Sequence, residues 1–192
     1  GDRAIVARAL LRLELAERLG CRPQAVELVT APEGKPGLAG DGRGWQFNVS
    51  HSGERVVLAL APATPVGIDV EARGRRARID ALARHYYAPP EWEAAAGRPE
   101  AERRYRFFQL WTLKEAVTKA LGRGLWGTIA GVRLDGIDTR HPRLRLEAGA
   151  ACDAAVGWWH FDLGAGYSMA LARIGPGAAA PAVHAAVPGG RR

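Results

Sequence analysis

The chain has 192 residues, 47% of them hydrophobic and 24% charged, with a formal net charge of +7. This length builds one domain, or two small ones sharing a core, and the composition is that of a globular protein in water. The longest apolar runs, such as Val56–Ala61, fall far short of the ~20 residues of a membrane span, which excludes a helical membrane protein. The first residues, with Asp2, Arg3 and Arg8, lack a signal-peptide pattern. Cys21 and Cys152 form no CxxC, so reduced thiols and a cytoplasmic location are expected. The positive charge suits DNA, RNA, anionic lipid or an acidic protein. It also follows from a GC-rich genome that favours arginine.

In chain order, residues 3–19 predict an amphipathic helix whose apolar side is Ile5, Ala9, Leu13 and Ala16, closed by Gly20. Val26–Thr30 predicts a short strand, and Pro32–Gly44 a loop rich in glycine and proline. Phe47–Val49 and Arg55–Leu60 predict strands joined by a turn at Ser52-Gly53, and Val66–Glu71 another strand after the break at Pro62–Pro65. Ile79–Tyr86 predicts a helix, and a second starts near Pro89-Pro90, where proline is tolerated in the first turn. The longest helix is expected over Glu100–Leu121, ending at Gly122. Strands follow at Val132–Leu134, Leu144–Leu146, Trp158–Leu163 and Tyr167–Ile174, the last two joined by a turn at Gly164–Gly166. Residues 175–192, mostly Ala, Pro and Gly, predict a disordered tail.

Two segments carry the chemistry. Gly67-Ile68-Asp69-Val70-Glu71 puts two carboxylates at i and i+2, on one face of a strand. Gly67 permits close backbone approach to a ligand. Trp111-Thr112-Leu113-Lys114-Glu115-Ala116-Val117-Thr118-Lys119 puts Glu115 and Lys119 at i and i+4, one above the other on a helix. Alone, an Asp-x-Glu is usually a solvated strand end and a Glu–Lys pair a surface salt bridge. The apolar neighbours Trp111, Leu113, Ala116 and Val117 point instead to a cleft. Three carboxylates and a lysine suit an oxygen-seeking cation bound to a diphosphate. Ser50 and His51, adjacent on a strand, point to opposite faces and make no nucleophile–base pair.

These segments, with Gly34-Lys35-Pro36 and Phe47-Asn48-Val49-Ser50-His51-Ser52, stand in an order that resembles the 4′-phosphopantetheinyl transferases of the pseudodimeric, surfactin-synthetase-activator-like type. The resemblance spans residues 1 to 174, and residues 111–125 are its most specific part. It implies an α+β fold of two pseudo-symmetric α/β halves, the N-terminal one shortened. The halves would be residues 1–65 and residues 66–174, the second with the metal site. It also implies Mg²⁺ held by Asp69, Glu71 and Glu115, with Glu115 and Lys119 as catalytic residues. Lys35, Ser50, His51, Arg3 and Lys114 would contact coenzyme A, although Lys114 points about 100° from Glu115 and has solvent as its alternative. The implied partner is an apo acyl, peptidyl or aryl carrier protein, met by a monomer without nucleic acid or membrane. Tyr86, Tyr87 and Trp92 offer a place for it to dock, whereas Trp111, Trp126, Trp158 and Trp159 read as packing. The family's usual N-terminal strand and helix, whose basic residues grip the 3′-phosphate, are not in this sequence. The helix at Arg3 is therefore expected to show an uncovered apolar stripe. Two rivals remain: a metal-dependent nuclease and a carrier-binding protein without catalysis.

Overall fold

Helix α1 (Asp2–Leu19) stops at Gly20, which takes the left-handed conformation (φ 64°) that closes helices at low cost. The description, drawn from a computed structural model, covers residues 2–31, 34–40, 44–122, 129–135, 143–146, 156–164, 166–175 and 181–182. Trp126, the end of the 111–125 segment and nearly all of the tail expected over 175–192 lie outside it. α1 packs through Ala7, Leu11, Leu15 and Ala16; of the apolar side expected from the sequence Ala16 is buried, whereas Ile5 and Leu13 are 70% and 57% exposed, in keeping with the uncovered apolar stripe expected there. The helix carries apolar residues on every side, and a periodic pattern cannot choose among them. A 3₁₀ turn (Pro23–Ala25) follows, then an antiparallel pair: strand β1 (Leu28–Thr30), within the expected strand, and strand β2 (Pro36–Leu38), inside the region expected to be loop.

The hairpin β3 (Trp45–Ser52) and β4 (Arg55–Pro62) comes next. Gly53 in its turn has φ 54°, and a Cβ there would overlap the Tyr167 hydroxyl. β3 is buried on both sides. Trp45, Phe47 and Val49 pack with Leu11, Leu15 and Val26, and Asn48 and Ser50 are turned inward on the other face.

Strand β5 (Val66–Ala72) leads to helices α2 (Ile79–Tyr86), α3 (Pro89–Ala96) and α4 (Glu100–Ala120). Hairpin β6 (Val132–Asp135) and β7 (Arg143–Leu146) precedes β8 (Val156–Asp162) and β9 (Tyr167–Ile174). β5, β9 and β8 form an antiparallel sheet with β9 in the middle. β5 alternates cleanly: Val66, Ile68 and Val70 join Ala59, Ala61 and Met169 in one core, and Gly67, Asp69 and Glu71 lie on the other face.

α4 lies across that other face. Its residues Phe107, Phe108, Leu110, Leu113, Ala116 and Val117 form the main core with Ile79, Tyr87, Trp92, Ala170 and Ala172. The small residues Gly67, Ala170 and Ala172 let the helix settle close to the sheet. A Cβ at Gly67 would overlap the Ala116 carbonyl oxygen and the Ala120 nitrogen, and stand 3.0 Å from Lys119 Cβ. The close backbone approach read from Gly67 is thus real, and what approaches is a helix rather than a ligand. The fold is α+β. Among the described residues no helix is long and apolar enough to cross a membrane.

Candidate active site

The cleft between β3, β5 and α4 has a volume of about 280 Å³ and is lined by Val49, Ser50, His51, Asp69, Val70, Glu71, Trp111, Glu115 and Lys119. The strand period delivers Asp69 and Glu71 together, the helical period delivers Trp111, Glu115 and Lys119, and Gly67 lets the two elements meet.

The seam between β3 and β5 is made by side chains. The two strands belong to different sheets. Asn48 Oδ1 accepts from Ile68 N (2.9 Å), Ser50 Oγ from Val70 N (3.3 Å) and Ser52 Oγ from Ala72 N (3.0 Å). Three alternate backbone donors on β5 are thereby satisfied by three alternate side chains on β3. The serines also donate to the acids: Ser50 Oγ to Asp69 Oδ1 at 2.8 Å and Ser52 Oγ to Glu71 Oε2 at 2.7 Å.

Lys119 Nζ stands 2.6 Å from Asp69 Oδ1 and also donates to Ile68 O and Ser50 Oγ, both at 3.3 Å. Arg75 forms an ion pair with Glu71 Oε1 at 2.9 Å. Glu115 is 4% exposed. Burial, and then the negative charge of Asp69, push its carboxyl up to about 7, against the pull of Lys119. Burial also raises Asp69 and Glu71 above the usual carboxylate range.

Asp69 Oδ2 and Glu115 Oε2 are buried without a hydrogen-bond partner. An orphaned carboxylate oxygen is costly unless something polar meets it. Two such oxygens beside a third carboxylate are a donor set that fits a hard divalent cation. As the side chains stand, no group of three acidic, histidine or cysteine residues among the described ones is arranged to hold an ion, and Lys119 engages Asp69.

The cleft thus brings together Asp69, Glu71, Glu115, Lys119, Ser50 and His51, of which His51 is exposed. Other expected contacts lie elsewhere. Lys114 is fully buried, 2.8 Å from Glu91 Oε2, with its ammonium over the Tyr87 ring. Glu91 also accepts from Ala88 N and Leu134 N, so the pair ties α3, α4 and β6 together. The expectation that Lys114 contacts nucleotide or solvent is corrected: the 100° offset from Glu115 turns it into the core. Lys35 Nζ donates to the Lys119 carbonyl at 2.8 Å, capping the last turn of α4, and it does not line the cleft. Burial lowers its pKa. Ser50, expected to contact coenzyme A, lines the cleft with its hydroxyl engaged by Asp69, Val70 N and Lys119. Arg3 lies in α1, and its side chain is outside the described residues. Tyr87 and Trp92, read as a docking place, are buried core residues.

Sequence reasoning missed Ser52 as a carboxylate partner and Trp111 as a wall of the cleft. The signal for the first was present: Asn48, Ser50 and Ser52 are polar at alternate positions, with the apolar Phe47 and Val49 between them. Trp111 packs on Phe107 (5.6 Å between ring centroids) and meets Tyr86 edge-on (5.5 Å).

The chain is 33% identical over 126 residues to the 4′-phosphopantetheinyl transferase HetI of Nostoc sp., covering 64% of this chain and 53% of that protein. It is 32% identical over 124 residues to the 4′-phosphopantetheinyl transferase of Bacillus subtilis, again 64% and 53% of the two chains. It spans about half the length of these curated relatives. Among solved structures, the holo-[acyl-carrier-protein] synthase of Thermotoga maritima superposes with a TM-score of 0.44 at 26% identity, over 58% of this chain and 62% of that one. Residues 2–63 match the family described as 4′-phosphopantetheinyl transferase, N-terminal. Residues 65–172, which contain Asp69, Glu71, Glu115 and Lys119, match the 4′-phosphopantetheinyl transferase superfamily, and the chain belongs to that superfamily.

Proposed function

We propose that the protein transfers the 4′-phosphopantetheine group of coenzyme A to a serine of an apo acyl, peptidyl or aryl carrier protein. We take it to be of the pseudodimeric, surfactin-synthetase-activator-like type, with halves at 1–65 and 66–174. The observation that carries the reading is the meeting of Asp69 and Glu71 from β5 with Glu115 and Lys119 from α4 in one cleft. In the reaction the serine oxygen forms a bond to the β-phosphorus of the donor. The bond from that phosphorus to the bridging oxygen breaks, and adenosine 3′,5′-bisphosphate leaves.

Asp69, Glu71 and Glu115 would hold Mg²⁺, supported by the unpartnered Asp69 Oδ2 and Glu115 Oε2. A bound Mg²⁺ supplies charge neutralisation on the diphosphate. Glu115, in the same cleft, accepts the serine proton, directly or through a water. Lys119, at the same cleft, neutralises charge on the bridging oxygen as it departs. His51, exposed on the cleft wall, contacts the nucleotide phosphates. Trp111 and Val49 exclude water from one side.

The test is mass spectrometry of several apo carrier proteins after incubation with the protein, coenzyme A and Mg²⁺. A mass gain of one phosphopantetheine group on the carrier serine is the expected result. Carriers that bind but gain no mass would overturn transfer and leave binding without catalysis.

A further inference from the structure

The two serines of β3 do the same thing twice. Ser50 Oγ bridges Val70 N and the Asp69 carboxylate; Ser52 Oγ bridges Ala72 N and the Glu71 carboxylate. In each case the hydroxyl touches the carboxylate of one β5 residue and the backbone N–H of the next. The repeat is two residues on both strands, so one local geometry is copied along the seam.

Hydrogen-bond valence dictates how each bridge runs. A serine hydroxyl has one proton to give and two lone pairs to offer. The backbone N–H can only donate, so it takes a lone pair, and the hydroxyl proton is left for the carboxylate. At Ser50 the Lys119 ammonium takes the second lone pair at 3.3 Å. The direction of each O–H bond therefore follows from the β5 backbone. Asp69 Oδ1 is held by Ser50 and Lys119, and Oδ2 remains as the oxygen without a partner. Asn48, which accepts from Ile68 N at 2.9 Å, lacks an acidic residue at the matching β5 position. It continues the ladder and fixes the register that brings each serine to its acid.

We propose that Ser50 and Ser52 are positioning residues that aim Asp69 and Glu71 for cation binding, with Asn48 setting the register between the strands. The proposal rests on the metal role given to these acids above. It assigns Ser50 and Ser52 to the carboxylates, where the family resemblance implied a coenzyme A contact for Ser50. Hydrogen-bond partners of metal ligands restrict ligand orientation, and removing one typically lowers metal affinity ten- to a hundred-fold.

The experiment is a Mn²⁺ titration of the full chain with coenzyme A present, following free Mn²⁺ by electron paramagnetic resonance. Thermal unfolding is recorded on the same samples. Ser52→Ala is expected to weaken Mn²⁺ binding about ten-fold in protein that is still folded. Ser52→Thr, which keeps the hydroxyl and suits a strand, is expected to restore it. Ser50→Ala should act in the same direction. Ser52→Ala with native Mn²⁺ affinity, or Ser52→Thr as weak as Ser52→Ala, overturns the positioning role. Asp69→Asn is the control for the metal reading itself. If it leaves Mn²⁺ binding unchanged, or if the wild-type protein binds no Mn²⁺ above coenzyme A alone, both readings fall. If Asp69→Asn abolishes binding and Ser52→Ala does not weaken it, only the serine proposal falls.

Discussion

Gly67 lies directly beneath Ala116, so near that a methyl group on its Cα would overlap the Ala116 carbonyl oxygen. The contact joins the strand that bears Asp69 and Glu71 to the helix that bears Glu115 and Lys119. Backbone on both sides makes relief by rotamer change impossible. Gly67→Ala should therefore destabilise the protein by about 2–3 kcal/mol, read as a fall in urea midpoint at unchanged m-value. A loss below about 0.5 kcal/mol, the level of an ordinary surface change, would mean that the helix can ride up without cost.

Lys114 and Glu91 form an enclosed ion pair with side-chain exposures of 0% and 3%. Removing one partner strands the other charge in the core. Lys114→Ala should cost about 3–5 kcal/mol in stability. Where the variant remains folded, its KM for coenzyme A should match the wild type, because the ammonium faces away from the cleft. A raised KM in folded protein would return Lys114 to the nucleotide site.

Lys119 is the counter-charge of a buried acid and also the proposed partner of the leaving oxygen. Lys119→Ala should lower turnover by about 10²–10³-fold, with a much smaller effect on coenzyme A binding. It should also weaken the fold more as pH rises, since burial already disfavours the ionised Asp69 and the variant lacks the ammonium that offsets it. Unchanged turnover with only a raised KM would reduce Lys119 to a binding contact.

Two buried groups pull the pH dependence of stability in opposite directions. Glu115 is raised from 4.5 to about 7, chiefly by burial, so the folded state holds its proton more tightly than the unfolded chain. Its contribution is complete below about 4.5 and is lost as pH rises through 7. His160 is lowered from 6.5 to about 4, again chiefly by burial, with Asp162 pulling the other way and Arg73 adding to the fall. The folded state therefore resists its protonation, and stability is lost as pH falls from 6.5 through 4. Each effect amounts to at most about 3 kcal/mol. Relative to wild type, Glu115→Gln should gain stability as pH rises from 5 to 8. His160→Phe should gain as pH falls from 6.5 to 4. A difference curve that is flat in either variant refutes the shift assigned to that group. Divalent cation should raise the melting temperature more at pH 8 than at pH 5.5, since the ligands must be ionised to bind it.

Much of this was legible from residue order. Ile79–Tyr86 and Tyr167–Ile174 match the observed α2 and β9 end to end, because each has punctuation at both ends and a clear period between. The cleft residues Asp69, Glu71, Glu115 and Lys119 were legible as two periodic pairs, and only the tertiary fold could show that they face each other. The buried face of α1 was missed because Leu11 and Leu15 compete with Ile5 and Leu13 on a helix that carries apolar residues on every side. β2 was missed because a Pro-Gly-Leu strand owes its existence to its partner β1 rather than to propensity. Lys114 was misread because a lysine carries no sign of being buried until its distant partner, Glu91, is known.

The junction of β3 with β5 has a further consequence. A ladder of peptide hydrogen bonds is blind to the side chains hung on it, so two strands joined that way tolerate broad substitution. Here the rungs are the side chains of Asn48, Ser50 and Ser52, and the attachment is written in the genetic code. A saturation library over residues 45–52 should thus show an every-other-residue pattern. Positions 48, 50 and 52 should accept only groups that can receive a hydrogen bond at the right reach, and positions 45, 47 and 49 any shape that fills the space beside α1. Selection at this strand would be set by chemistry on one side and by volume on the other.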